Sequence, residues 1–358
     1  MRSAPEAFQG PPAPVFFGPE RWIAGDGALE AAAPLLRAWP RPLGLLGEAG
    51  LLKSLRRPLT RAWLEAGVEL ELLGLEDGSD CSAGSVAGAL ERARARGVGG
   101  LIGLGGGRVL DLAKLAAFEA GWPLATVPTS AATCACATGV AVVNDGRGGF
   151  AEVRDLGGPP GLCIVELGIL RAAPARLLAA GMADTLAKWM EWRALEPEPG
   201  AFGAGAGWAL ASRAFDCVRA AGAEALKEPG SRAFAAAVEA CLLWSAAASC
   251  AGAAPAAAAH SLANALSRQG PGAALLHGEA VGLGLLWQES LLEASGSATM
   301  GSEALARLLA SWGLPTALPA GLDHAALESD AFAPGETVHL LGQDAAARAA
   351  LAAFSIGR

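Results

Sequence analysis

An α/β first half followed by an all-helical second half is the fold class this 358-residue sequence predicts. Two observations carry it. Strand-like and helix-like hydrophobic patterns alternate up to about Ile169, and beyond it long Ala- and Leu-rich segments run on without a convincing strand. With 53% hydrophobic and only 17% charged residues, the chain is folded and long enough for two substantial cores. The domains are expected to be 1–168 and 169–358.

The elements follow in order. The opening MRSAPEAFQGPPAP is proline-rich, lacks the basic-then-apolar pattern of a secretion signal, and reads as a loose lead-in. Residues 42–47 (PLGLLG) form a short apolar strand ending at Glu48, with a helical stretch through Leu64. Alternation over 68–75 predicts a strand, and a polar GSD turn opens an amphipathic helix over 81–96. A strand over 97–104, a helix over 109–120 and a strand over 123–127 come next, then strands over 139–144 and 161–167. Strands separated by helices predict a parallel, Rossmann-like sheet. In the second half PEPG at 197–200, EPG at 228–230 and RQGPG at 268–272 break the helices, and the last forty residues read as helix ends and loops.

Several functions are excluded by composition. A net charge of −8 without a basic block speaks against nucleic-acid binding. The longest apolar run, 242–259, is interrupted by Ser245, Ser249 and Pro255, so it reads as a buried helix and its approach and not as a membrane span. Seven cysteines, an odd number without a CxxC pair, predict reduced thiols in a cytoplasmic protein.

Residues 101–111 (LIGLGGGRVLD) run a strand into Gly105, Gly106 and Gly107 and start a helix at once. Glycine permits close backbone approach, and a helix N-terminus offers free N–H groups to a phosphate. The pattern is neither GxGxxG nor a P-loop, and an ordinary tight turn is the competing reading. Glu48, at the end of an earlier strand, is placed to bind a ribose diol and to repel a 2′-phosphate, favouring NAD over NADP; a solvated loop glutamate is the plain alternative.

The stretch AAPARLLAAGMADTLAKWMEWR places Asp184 inside an apolar helical pattern. A carboxylate there needs a cation or donors. Either Lys188 meets it at i,i+4 on an exposed face, or a metal does. His260 and His277, on two later helical stretches, would complete a set of two imidazoles and one carboxylate that leaves a position open for substrate. Spacing alone leaves core histidines as the alternative.

The segments GLGGGRVLDLAK, VPTSAAT, APARLLAAGMADTLAKWMEWRA, AAAAHSLANAL, LLHGEAVGLGLLWQ and GETVHLLG stand in the order seen in glycerol dehydrogenases. From about Phe16 onward the chain thus resembles the iron-containing (group III) alcohol dehydrogenase superfamily. The resemblance implies an N-terminal dinucleotide-binding domain, an all-α C-terminal domain, and a metal site in the cleft between them. It implies Asp184, His260 and His277 as metal ligands and catalytic centre, Glu48 on the adenine ribose, and Gly105, Gly106, Gly107 and Arg108 at the pyrophosphate. Thr129, Ser130 and Thr138 fall on the nicotinamide side. The implied reaction is hydride transfer between an alcohol or polyol and NAD, assisted by one divalent metal, zinc in preference to ferrous iron. A homo-oligomer is also implied.

The match departs from the family at the substrate. Cys134 stands where the family carries an aspartate that meets the polyol, Asn144 stands for a tyrosine in a chain that has none, and Ala253, Ala254 and Pro255 replace a more polar stretch. These departures predict a kept reaction type and a substrate other than glycerol. A dehydroquinate synthase-like lyase or cyclase and a catalytically idle NAD-binding homologue are the alternatives. The first of these, like glycerol-1-phosphate dehydrogenase, would need basic phosphate-binding residues that the sequence does not display. Cys134 and Cys136 read as small packing residues.

Overall fold

The computed structural model describes residues 15–76, 78–146, 149–195, 204–251 and 256–356. The lead-in, the PEPG break, and Ala253, Ala254 and Pro255 lie outside these residues.

Eight strands are present among them: β1 (Arg21–Gly25), β2 (Leu43–Glu48), β3 (Leu70–Leu75), β4 (Gly100–Gly105), β5 (Leu124–Pro128), β6 (Val140–Asn144), β7 (Phe150–Asp155) and β8 (Leu162–Glu166). Six of them form one parallel sheet in the order β1-β8-β5-β4-β2-β3. Its strands are apolar without alternation because both faces are covered. Leu43, Leu45, Ile102 and Leu104 meet the helix α1 (Ala28–Leu36) and Trp63 on one face. Leu46, Leu73 and Leu101 meet α2 (Ala83–Ala95) and α3 (Gly107–Ala120) on the other. From β2 the chain crosses to β3 on one side and later to β4 on the other, so the strand order reverses between β2 and β4. At such a switch point the carboxyl ends of the strands leave a crevice for a ligand.

Two expectations are corrected. The strand over 139–144 is not part of the parallel sheet: β6 pairs antiparallel with β7 in a separate hairpin. Strand β7 left no hydrophobic signal because most of its side chains are exposed. The tail, read as helix ends and loops, contains a further helix, Asp344–Ile356, after a 3₁₀ turn at Thr337–Leu341.

No strand follows Glu166 among the described residues. The helical half includes α4 (Ala175–Leu195), α5 (Ala204–Lys227), α6 (Arg232–Cys250, with a π turn at Ala240–Trp244), α7 (Ala258–Ser267) and α8 (His277–Ser295). Helix α6 is, among the described residues, the one long and apolar enough to cross a membrane by length and composition. It is instead a core helix here, with Phe234, Ala237, Val238, Cys241 and Leu242 packed into the helical interior. Cys134, Cys136 and Ala137 from the loop after β5 join that same core, which brings the sheet's carboxyl edge against α4.

Candidate metal centre

Between Leu178 and Trp192 helix α4 is buried on nearly every side, so the polar groups it carries there are internal. Asp184 is 3% exposed, and its Oδ1 has no hydrogen-bond partner. His260 Nε2 from α7 lies 3.6 Å from that atom, and His277 Nε2 from the first turn of α8 lies 3.8 Å away. The three side chains offer ligand atoms all within 4.8 Å of one another. Tetrahedral coordination by carboxylate and imidazole separates ligand atoms by about 3.4 Å. An orphaned buried carboxylate oxygen facing two imidazole nitrogens therefore fits a divalent cation, with room left for a further ligand.

The orientation of His260 comes from Glu191, which the sequence reading missed. Glu191 lies two turns beyond Asp184 on α4 and is 1% exposed. Its Oε2 pairs with His260 Nδ1 at 2.5 Å, and its Oε1 accepts the backbone N–H groups of Ala257 (2.7 Å) and His260 (3.1 Å). One carboxylate thus caps the start of α7 and fixes the imidazole with Nε2 turned toward Asp184. Burial works against charge on His260, but the Glu191 and Asp184 carboxylates together outweigh it and lift the imidazole to about 9. A proton on Nε2 and a divalent cation compete for one position. Burial likewise opposes charge on Asp184, yet Lys188 and the two histidines hold its carboxyl well below the usual range.

Lys188 does pair with Asp184, at 3.6 Å, but not on an exposed face: both side chains are largely buried. The expected surface pair and the expected metal ligand are the same carboxylate.

Two glycines allow this convergence. A Cβ on Gly278 would lie 1.8 Å from the Ala180 carbonyl oxygen, and one on Gly181 would lie 1.8 Å from that of Ala131. Helix α8 therefore starts directly on the backbone of α4, and α4 rests on the loop after β5. Arg176 reinforces the junction through two 2.6 Å contacts to Glu279, whose Oε2 also accepts the Leu276 N–H. Gly278→Ala is expected to lower the unfolding free energy by about 1–3 kcal/mol, the usual cost of overpacking. It should also weaken zinc binding, since the neighbouring His277 must shift; urea denaturation and zinc titration check both.

Across the cleft, Glu48 ends β2 and Gly105 ends β4, on the two sides of the switch point. A Cβ on Gly105 would strike Val109 at 2.7 Å, so this glycine serves helix packing. Gly106, the N-cap of α3, has nothing within 4 Å of an added Cβ. No internal contact requires glycine there, and the open space above a 14-residue helix's free N–H groups fits a pyrophosphate. Gly107 and the exposed Arg108 form the first turn. Glu48 accepts the Gly78 N–H at 3.0 Å. Thr129 continues from β5, its N–H donating to the Gly105 carbonyl, and Ser130 is buried beside it.

The hydroxyl of Thr138 is engaged elsewhere. It accepts from Lys114 Nζ at 3.2 Å, and Lys114 is in turn paired with buried Asp111 at 2.7 Å. Asn144 exchanges hydrogen bonds with the Cys81 backbone. Cys134 is buried and its thiol is pushed up by burial, with Lys188 acting against the shift and Asp184 adding to it.

The comparisons with known proteins agree with this architecture. Residues 19–164 match the family model described as iron-containing alcohol dehydrogenase. A glycerol dehydrogenase of Pseudomonas putida is 30% identical over 336 residues, covering 90% of each chain. The structure of a probable glycerol dehydrogenase from Sinorhizobium meliloti superposes with a TM-score of 0.83 at 25% identity, over 96% of this chain and 99% of that one. The fold is also that of glycerol dehydrogenase from Schizosaccharomyces pombe, with a TM-score of 0.82 at 21% identity over 98% of this chain and 92% of that one. With similarity of this extent, and an Asp184, His260 and His277 set at the junction of its two halves, the chain belongs to the iron-containing alcohol dehydrogenase superfamily as a glycerol dehydrogenase-like member.

Proposed function

We propose that this chain is an NAD- and metal-dependent dehydrogenase that interconverts a small alcohol or polyol and its carbonyl form, with a substrate other than glycerol itself. The observation that carries the reading is the buried Asp184 Oδ1, without a hydrogen-bond partner, faced by His260 Nε2 and His277 Nε2. One carboxylate and two imidazoles suit zinc, which such sites generally bind more tightly than ferrous iron. Bound there, the ion would supply Lewis acidity to the substrate oxygen.

The chain's own residues do the rest. Asp184, His260 and His277 orient the ion, and Glu191 holds His260 in the ligating tautomer. Gly105, Gly106, Gly107 and Arg108 would seat the pyrophosphate on α3, with Glu48 at the adenine ribose and Thr129 and Ser130 along the nicotinamide side, which Thr138 would border with its hydroxyl held by Lys114. Bound there, NAD would supply a hydride acceptor for the carbinol carbon, with the hydroxyl proton released as the carbonyl forms. Buried Cys134 would border the substrate and, as a neutral thiol, offers it weak hydrogen bonding. Free thiols at all seven cysteines support a reducing, cytoplasmic setting, and the superfamily resemblance supports a homo-oligomer.

The test is NAD reduction at alkaline pH over a panel of diols, polyols and simple alcohols, after stripping metal and restoring zinc or ferrous iron separately. Turnover that depends on the restored metal supports the reading. Conversion without net NADH would indicate a lyase instead, and silence with NAD still bound an idle homologue.

Cofactor choice gives a separate expectation. Glu48→Gln keeps an acceptor for the Gly78 N–H but removes the charge. NADH binding should weaken about tenfold, the range of a charge-assisted hydrogen bond, and discrimination against NADPH should narrow. Fluorescence titration with both reduced cofactors decides it.

A further inference from the structure

The metal set has a charged neighbour that hydride transfer from a neutral alcohol leaves unused. Lys188 extends from α4 one turn past Asp184, and its ammonium lies 3.6 Å from Asp184 Oδ1 in a pair that is largely buried. Among the described residues Asp184 is its one ion-pair partner within 4.0 Å.

The charges around these atoms are few. Asp184 and Glu191 are the carboxylates and Lys188 is the cation. His260 and His277 are neutral when they act as ligands, and Cys134 is a neutral buried thiol. Glu191 is already committed to His260 and two backbone N–H groups. Even with Glu191 counted, the two carboxylates set two negative charges against three positive ones from Lys188 and a divalent ion, so the loaded site would carry one unmatched positive charge. The oxidised nicotinamide would add another. In a cleft of low dielectric an uncompensated charge is expensive, and an anionic partner relieves it.

We propose that the substrate is a 2-hydroxy acid, or the matching 2-oxo acid in reverse, and that Lys188 receives its carboxylate. This rests on the dehydrogenase reading and names its substrate class. In a 2-hydroxy acid the carboxylate is on the carbon next to the carbinol carbon. A substrate whose oxygen reaches the Asp184, His260 and His277 set would bring its carboxylate into the neighbourhood of Asp184, where Lys188 is the cation that can receive it. A neutral polyol would offer Lys188 hydroxyls only. The reaction balances without a further reagent: the carbinol C–H electrons pass to the nicotinamide as hydride, the O–H proton is released, and the carbonyl forms.

The test uses the zinc- and NADH-loaded full chain with oxamate as probe, its binding followed by NADH fluorescence and by calorimetry. Lys188→Gln should weaken oxamate binding by about tenfold to a hundredfold, and Lys188→Arg should restore most of it. Zinc content and NADH affinity are measured in every variant. A second arm needs the wild type alone: kcat/KM for glycerate should exceed that for glycerol, which differs from it only in carrying a hydroxymethyl group in place of the carboxylate, by about a hundredfold. Oxamate binding unchanged in Lys188→Gln, or a wild-type preference for glycerol, overturns the proposal. A wild type that holds zinc and NADH but not oxamate also overturns it while leaving the dehydrogenase reading intact. A wild type that binds neither zinc nor NADH removes the dehydrogenase reading itself.

Discussion

Asp184→Asn is expected to reduce metal-dependent NAD reduction by about a thousandfold or more, and to do so with the fold intact. The substitution keeps the shape of the side chain and removes the one negative charge that faces both imidazoles. Lewis acidity contributes several kcal/mol to such a reaction, and each 1.36 kcal/mol is about tenfold in rate. Stability pulls in two directions. Lys188 loses its ion-pair partner, which destabilises, but a buried carboxylate oxygen that lacks any hydrogen bond is also gone. The change in melting temperature should therefore be small beside the loss of turnover. Zinc content after dialysis, measured together with NADH binding, separates the possibilities. Zinc lost and NADH retained is the expected pattern; zinc retained at full stoichiometry with unchanged turnover would mean that Asp184 is not a ligand.

Much of the architecture was legible because parallel strands, buried on both faces, announce themselves as unbroken apolar runs. Residues 42–47 and 97–104 are such runs, and the structure places β2 and β4 there with shifts of a few residues. Strands β1 and β7 were not legible: β1 lies at the sheet's edge and β7 in a two-stranded hairpin, and most β7 side chains are exposed. Helix α1 escaped notice for a different reason, since Pro34 interrupts its pattern.

At the site, Asp184, His260 and His277 were recognisable as residue types, but their meeting depends on contacts between backbones. No periodicity reveals that Gly278 sits on the Ala180 carbonyl or Gly181 on that of Ala131. Glu191 carried a usable signal that the sequence reading missed, and Lys188 is the expected partner of Asp184 but in a buried setting. The stretch from Met182 to Trp192 is apolar on every side, so any charge within it is internal, and the exposed i,i+4 pair was the wrong frame for Lys188.

Glu191 is where fold and site are most tightly joined, and its removal should show both roles at once. Glu191→Ala would leave the Ala257 and His260 N–H groups without their acceptor and His260 Nδ1 without its partner, all in a largely buried setting. Breaking a buried charged pair on one side costs about 3–5 kcal/mol, enough to unfold a marginal domain. Glu191→Gln separates the roles. The amide oxygen can still accept a backbone N–H, so α7 should stay capped and most of the stability should return. The charge that holds His260 in its ligating tautomer does not return, and zinc affinity should remain about tenfold to a hundredfold below wild type. Urea unfolding of the metal-free chain reads the first role, and competitive zinc chelation reads the second. If Glu191→Gln recovered zinc affinity in step with stability, Glu191 would be a helix cap that happens to lie near a ligand. Stability regained while zinc remains loosely held is the result expected of a carboxylate that positions the metal's histidine from the neighbouring helix.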